Sequence, residues 1–288
     1  MSRALLAAAF AGLKAPALKA PVSKSGQNIA SMGKTEPHPN AYVSVNTEVG
    51  IRDVVPMIER RPFDELASED LGWLTARRHF SCDARDDPSR SGWGCMRVWN
   101  DEEIAPNAGR ALQVHANIEI VTYVREGTVT HTDSLGNEGR IEAGNVQVVS
   151  AGTGIRHAEY NLEQVSARIF QMWITPASCG GSPAWGLQPC PAAEHAGCFV
   201  PIASGLDSDR DALPIRARAR VLNAKLTVGE SIEYVFREPR LAYLVPSFGT
   251  VDVNGVRIHA RDGAAIKDID IITITAIERA DLVMVDVL

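Results

Sequence analysis

Thr128–Gly152, TVTHTDSLGNEGRIEAGNVQVVSAG, is the stretch that decides the fold class. It reads as a strand, a turn at Leu135-Gly136-Asn137, a second strand, a turn at Ala143-Gly144 and a third strand. Glycine and asparagine reach the backbone angles of a tight reversal, and β-branched residues between them suit a pleated surface. The flanks continue the pattern. IEIVTYVREG (118–127) is β-branched and stops at Gly127, and ARIFQMWITP (167–176) alternates and stops at Pro176. Turn signals recurring roughly every 8–12 residues mark an antiparallel sandwich or barrel.

The same grammar returns near the C-terminus. AYLVPSFGTVDVNGVRIHARDGAAIKDIDIITITAIERADLVMVDVL (242–288) carries strand signals around turns at Asn254-Gly255 and Asp262-Gly263, two strong hairpin pairs. The phrase spanning Asn137–Gln147 recurs around Asn254–Ile266, which points to two copies of one unit. Between them, ASCGGSPAWGLQPCPAAEHAG (177–197) is rich in Pro, Gly, Ser and Ala without a period, and reads as a linker. The expected organisation is therefore a tail over residues 1–56, a first barrel over 57–176, a linker over 177–197 and a second barrel over 198–288. Helix should be scarce, with FDELASEDL (63–71) as the best short candidate.

With 288 residues and a hydrophobic fraction of 45%, the chain can fill two cores,. No apolar run reaches the roughly 18 residues of a membrane helix. The net charge is -6 and no block of Lys and Arg is long enough to track a phosphate backbone, which argues against direct nucleic-acid binding. Cys82, Cys95, Cys179, Cys190 and Cys198 are odd in number and form no CxxC. Reduced thiols in a cytosolic compartment are the simplest reading.

Arg3, Lys14, Lys19, Lys24 and Lys34 all precede the first acid, Glu36. That composition fits an organelle transit peptide or a disordered tail. Pro16, Pro21, Gly33 and Pro37 break any long amphipathic helix there and favour the tail,. Arg216, Arg218 and Arg220 alternate with alanines; on a strand they share one face, either as a solvated edge or as an anion site.

Metal-capable side chains concentrate in GRALQVHANIEI (109–120) and GNVQVVSAGTGIRHAEYN (144–161). Residues i and i+2 of a strand share a face, so Gln113 pairs with His115, and His157 with Glu159. Two imidazoles and a carboxylate with open positions suit non-haem Fe(II), and also accept Mn, Co, Ni, Cu or Zn. Glu119 shares the parity of His115 and ranks below Glu159. His131, in TVTHTDS, is a candidate substitute ligand, although alternation favours a side chain facing solvent or the barrel wall. His259 is the single histidine from Val221 onward, too few for a second site.

The spacing Gly109-His115-Glu119 and, more loosely, Gly144-Gly152-His157-Asn161 resembles the two cupin motifs. MRVWNDEEIAPNAG (96–109), EIVTYVREGTVTHTDSLGN (119–137), QVVSAGTGIRHAEYN (147–161) and FQMWITP (170–176) resemble the pirin family, a likeness that extends over about Met57 to Leu288. It implies an all-β bicupin, two tandem antiparallel cupin barrels with few short helices. It also implies one metal, usually iron, in the first barrel, held by a His-x-His pair and a later His-x-Glu pair. His157 and Glu159 match the latter, and His115 matches the second histidine of the former. Gln113 stands where the first would be, a poorer ligand for a borderline metal.

The bacterial members imply a quercetin 2,3-dioxygenase reaction, a flavonol ring opened by O2, with Glu159 as metal ligand or proton acceptor. A small aromatic substrate is the expected partner. Other pirins imply a non-enzymatic metal-binding regulator that contacts transcription-related proteins. The Gln113 departure also admits a degenerate bicupin that binds a small molecule without turnover. The expected location is cytoplasmic, with organelle targeting by the first 35 residues the alternative.

Overall fold

The computed structural model describes residues 56–80, 90–190, 197–236 and 241–287. The expected tail, its targeting alternative and Cys82 lie outside these residues. The strands of the first half are β1 (Met57–Arg61), β2 (Ala67–Asp70), β3 (Leu74–Arg78), β4 (Met96–Ile104), β5 (Ala108–His115), β6 (Glu119–Glu126), β7 (Thr128–Asp133), β8 (Glu138–Glu142), β9 (Asn145–Ser150), β10 (Ile155–Asn161) and β11 (Ala167–Ile174). Then follow β12 (Ala184–Pro189), β13 (Val200–Ser204), β14 (Leu213–Pro214), β15 (Ala219–Leu226), β16 (Ser231–Val235), β17 (Leu241–Phe248), β18 (Val251–Val253), β19 (Val256–Ile258), β20 (Gly263–Lys267), β21 (Ile271–Ala276) and β22 (Ala280–Val287).

Each half pairs a seven-stranded sheet with a four-stranded one. The first half has the orders β12-β9-β6-β11-β4-β3-β2 and β5-β10-β7-β8. The second has β1-β20-β17-β22-β15-β13-β14 and β16-β21-β18-β19. The all-β, tandem-cupin class is as expected, built as two-sheet sandwiches.

Three local expectations change. The 63–71 segment forms only a 3₁₀ turn at Phe63–Glu65 before entering β2, whose residues Ala67–Asp70 pair with Arg78–Thr75; a cross-strand ladder outcompetes a short helix of modest propensity. Within the expected linker, β12 pairs with β9 and extends the first seven-stranded sheet. Met57–Arg61, expected in the first barrel, pairs with β20 of the second half.

Alternation explains where the cores sit. On β11, Ala167 and Ile169 face the interior of the first half, while Phe170, Met172 and Ile174 face the other way. The second face packs against the seven-stranded sheet of the second half: Trp99, Val121, Tyr123, Val146 and Phe170 share one buried cluster with Val221, Tyr243, Val283 and Val285. Two large apolar sheet faces would be exposed if the halves separated, so the seam is as much a core as either interior. Polar links cross it as well: Tyr123 donates to Asp281 Oδ2 at 2.7 Å, and Arg261 Nε donates to Asp101 Oδ2 at 2.5 Å. Arg220, with Arg216 and Arg218 on the outward parity, donates to both oxygens of Asp209 at 2.8 and 3.1 Å.

Candidate metal centre

The site lies between the sheets of the first half and is built mainly by β7 and β10. His131 and Glu159 are cross-strand partners, as are Asp133 and His157. On the other edge of β10, His157 faces Gln113 of β5, and a bulge between His157 and Glu159 brings Arg110 opposite Glu159. The extra residue lies on β5, where three steps from Gln113 to Arg110 face two from His157 to Glu159, so β10 itself stays regular and His157 and Glu159 share one inward face. His131, His157 and Glu159 are fully buried. One ligand-capable atom from each lies within 4.8 Å of the others.

The imidazoles stand out by what their ring nitrogens lack. Neither Nδ1 nor Nε2 of His157 has a partner, nor has Nδ1 of His131. A buried ring nitrogen without a partner is costly, and a cation accepting the one lone pair that each neutral imidazole carries removes part of that cost. The donor set of imidazoles and a carboxylate therefore fits a divalent first-row ion. His131 Nε2 lies 3.2 Å from Asp133 Oδ2, a carboxylate placed to orient the ring as such groups commonly do for a ligating histidine. Burial alone would raise Asp133, but hydrogen bonds from Asn137, His131 and the Leu135 backbone hold it below the ordinary aspartate value.

Burial pushes His157 below the usual histidine value, against the pull of Glu159 and with the help of His115, His131 and Arg110. His115 is lowered likewise, by burial first and by Arg110. Neutral imidazoles are the form that binds metal. Arg110 is itself held by the buried Glu102 at 2.6 Å.

Glu159 is clamped. Gln147 Nε2 donates to its Oε1, and Gln171 Nε2 donates to its Oε2 at 2.9 Å. Gly109 makes room for the strand that carries it: a Cβ there would sit 2.3 Å from the Glu159 carbonyl oxygen and 2.5 Å from Tyr160 Cα.

Of the residues singled out from sequence, His157 and Glu159 lie together. His115 stands beside them, its ring 5.0 Å from that of His157, but outside the 4.8 Å group. Gln113 is exposed, with Oε1 3.5 Å from His115 Nε2. Glu119 points away, since Ser150 Oγ donates to its Oε2 at 2.5 Å on the far side of β6. His131 is the correction: it faces the site rather than solvent or wall. The signal was available, because His131 and Asp133 share parity and reach a common neighbour once β7 pairs with β10. His259 is exposed and contacts Thr250.

The Pirin family description matches residues 59–174, and that of a quercetinase C-terminal cupin domain matches 202–287. The chain belongs to the pirin family. A pirin-like protein of Caulobacter vibrioides is 57% identical over 230 residues, covering 80% of this chain and 99% of that relative. A quercetin 2,3-dioxygenase of Escherichia coli is 32% identical over 231 residues, covering 80% and 98%. The crystal structure of the Escherichia coli pirin YhhW in complex with nickel(II) superposes with a TM-score of 0.75 at 31% identity, over 80% of this chain and 99% of that one. Among the described residues of this pirin, no helix is long and apolar enough to cross a membrane.

Proposed function

We propose that this pirin is a metal-dependent dioxygenase that opens a flavonol ring with O2, using one divalent ion, Fe(II) first among the candidates. The observation that carries the reading is His157, buried with both ring nitrogens unpartnered beside Glu159 and His131. The name of the Escherichia coli relative supports the flavonol, and the nickel complex of YhhW supports a metal.

His157, Glu159, His131 and His115 would hold the ion, with the exposed Gln113 at the rim. When bound, a divalent ion supplies Lewis acidity toward the 3-hydroxyl and adjoining carbonyl of a flavonol, lowering the pKa of that hydroxyl. Glu159 keeps lone pairs beyond the two that Gln147 and Gln171 occupy. It can therefore ligate, or take the proton of the 3-hydroxyl. Trp173 and Trp185 pack with the buried Ile120, Val149, Ala151 and Ile155, an apolar surround beside His115 and His131 that would suit a flat aromatic molecule and keep bulk water from the reacting centre. The chain works in a reducing, cytoplasmic compartment under this reading, consistent with Cys179 and Cys190 as free thiols.

The test is metal analysis of the purified protein together with quercetin bleaching under O2. About one ion per chain, with bleaching that His157→Ala abolishes, is the expected result. Metal retained without bleaching would favour the regulatory protein instead. No metal after reconstitution would favour a degenerate small-molecule binder.

A further inference from the structure

We infer that Trp185 and Trp173 are positioning residues for the candidate metal centre, acting through Gln147 and Gln171 to fix the carboxylate of Glu159 and packing directly on two of its histidines. The inference deepens the metal reading and rests on it for its functional meaning.

A glutamine amide has an acceptor end and a donor end. Trp185 Nε1 donates to Gln147 Oε1 at 2.9 Å, and Trp173 Nε1 donates to Gln171 Oε1 at 3.1 Å. Indole nitrogen can only donate, so each ring dictates which way its glutamine faces. The NH2 ends are thereby turned onto Glu159, one to each oxygen. Flipping either amide would set donor against donor at the indole and acceptor against acceptor at the carboxylate. Gln147, Gln171 and Glu159 are all buried, where water cannot relieve such a mismatch.

The same two rings touch the imidazoles. Trp185 stacks on His131 with centroids 5.0 Å apart and planes 9° apart. Trp173 meets His115 edge-on at 5.1 Å. An independent feature shows that the Trp185 seat is shaped for it: a Cβ on Gly139 would lie 2.5 Å from Trp185 Cη2. Trp185 belongs to β12, outside the cupin strands that carry the candidate ligands, so a segment reading as linker reaches into the centre and sets both a ligand's plane and its partner's ring.

Two measurements test this, one free of metal. In the metal-free protein, both indole N–H protons should exchange slowly with solvent by NMR. Gln147→Leu should speed the Trp185 proton by about tenfold or more and leave that of Trp173 slow. With nickel(II) as the probe, Trp185→Phe keeps the stack but removes the donor, and should weaken binding by about 10- to 100-fold, the scale expected when a hydrogen bond that orients a metal ligand is lost. Trp185→Phe combined with Gln147→Leu should weaken it no further than Gln147→Leu alone, which a merely structural role would not produce. Fast indole exchange in the unaltered protein overturns the inference, as do unchanged nickel affinity in Trp185→Phe or losses that simply add. Slow exchange that answers to Gln147→Leu, in a protein that takes up no nickel, upholds the clamp and removes the metal reading instead.

Discussion

Glu159 and His131 are direct partners across the β7–β10 ladder. The pairing places a carboxylate and an imidazole on one inward face without any loop to hold them. A site carried on paired strands keeps its geometry as long as the sheet does. Removing either partner should therefore act on the ion rather than on the fold. His131→Ala is expected to weaken nickel(II) binding by about 100-fold while Gln113→Ala changes it less than about threefold, the former approaching the loss of a ligand. Isothermal titration compares them directly, and equal effects would show His131 to be no ligand.

Gln113 faces His157 across the other edge of β10. Gln113→His adds an imidazole beside His115 and should tighten binding by about tenfold. Competition against a chelator of known affinity reads this, and unchanged affinity would set position 113 apart from the ion.

Gly109 packs against the backbone of Glu159 and Tyr160 too closely for any side chain. Gly109→Ala must push β5 off β10, and backbone cannot yield as a flexible side chain would. Metal uptake should fall by at least about tenfold, since catalytic and binding groups tolerate only small displacements. Far-UV circular dichroism should keep its β spectrum.

His79 lies in the seam, with Nδ1 3.0 Å from the Tyr243 hydroxyl. Burial, then the charges of Arg61, Arg261 and Arg125, push its pKa from 6.5 to about 3. Above pH 6.5 the group is neutral in folded and unfolded chains alike and contributes no pH dependence. As pH falls from 6.5 toward 3, the unfolded chain gains a proton that the folded chain refuses, so stability drops by up to about 1.4 kcal/mol per pH unit. Urea unfolding of metal-free protein at two pH values on either side of that limit should show the drop, and His79→Gln should lessen it. The same slope in both proteins would place the proton uptake elsewhere.

Phe170 is buried in the cluster shared by both halves. Phe170→Ala should cost about 3–5 kcal/mol and still give one unfolding transition, because the seam joins the halves into one cooperative unit. Two separate transitions by fluorescence and circular dichroism would refute that.

Much of this architecture is written in short-range patterns. Turn pairs such as Asn254-Gly255 and the alternation of β11 depend on local backbone preferences and period, which one sequence displays. The pairing of His157 with Glu159 follows from i, i+2 parity alone. What escaped was set by partners distant along the chain. His131 acquires meaning only when β7 lies against β10. Trp185 sits among Pro, Gly and Ala that carry no strand signal, and its place comes from pairing with β9. Glu119 failed for the converse reason: parity carried from β5 to β6 does not survive the reversal at Asn117, where φ is 53°.

The crossing of β1 into the second half bears on how the chain is made. Arg60 binds Asp262, 202 positions downstream, so a ribosome releases the first strand long before its neighbour exists. That strand must wait, unpaired, until Gly263–Lys267 has emerged. Contacts of such long loop closure slow folding, and a nascent edge left open invites association with other chains. Cutting the gene between the two halves would leave one fragment with an orphan strand and the other with a vacant sheet edge.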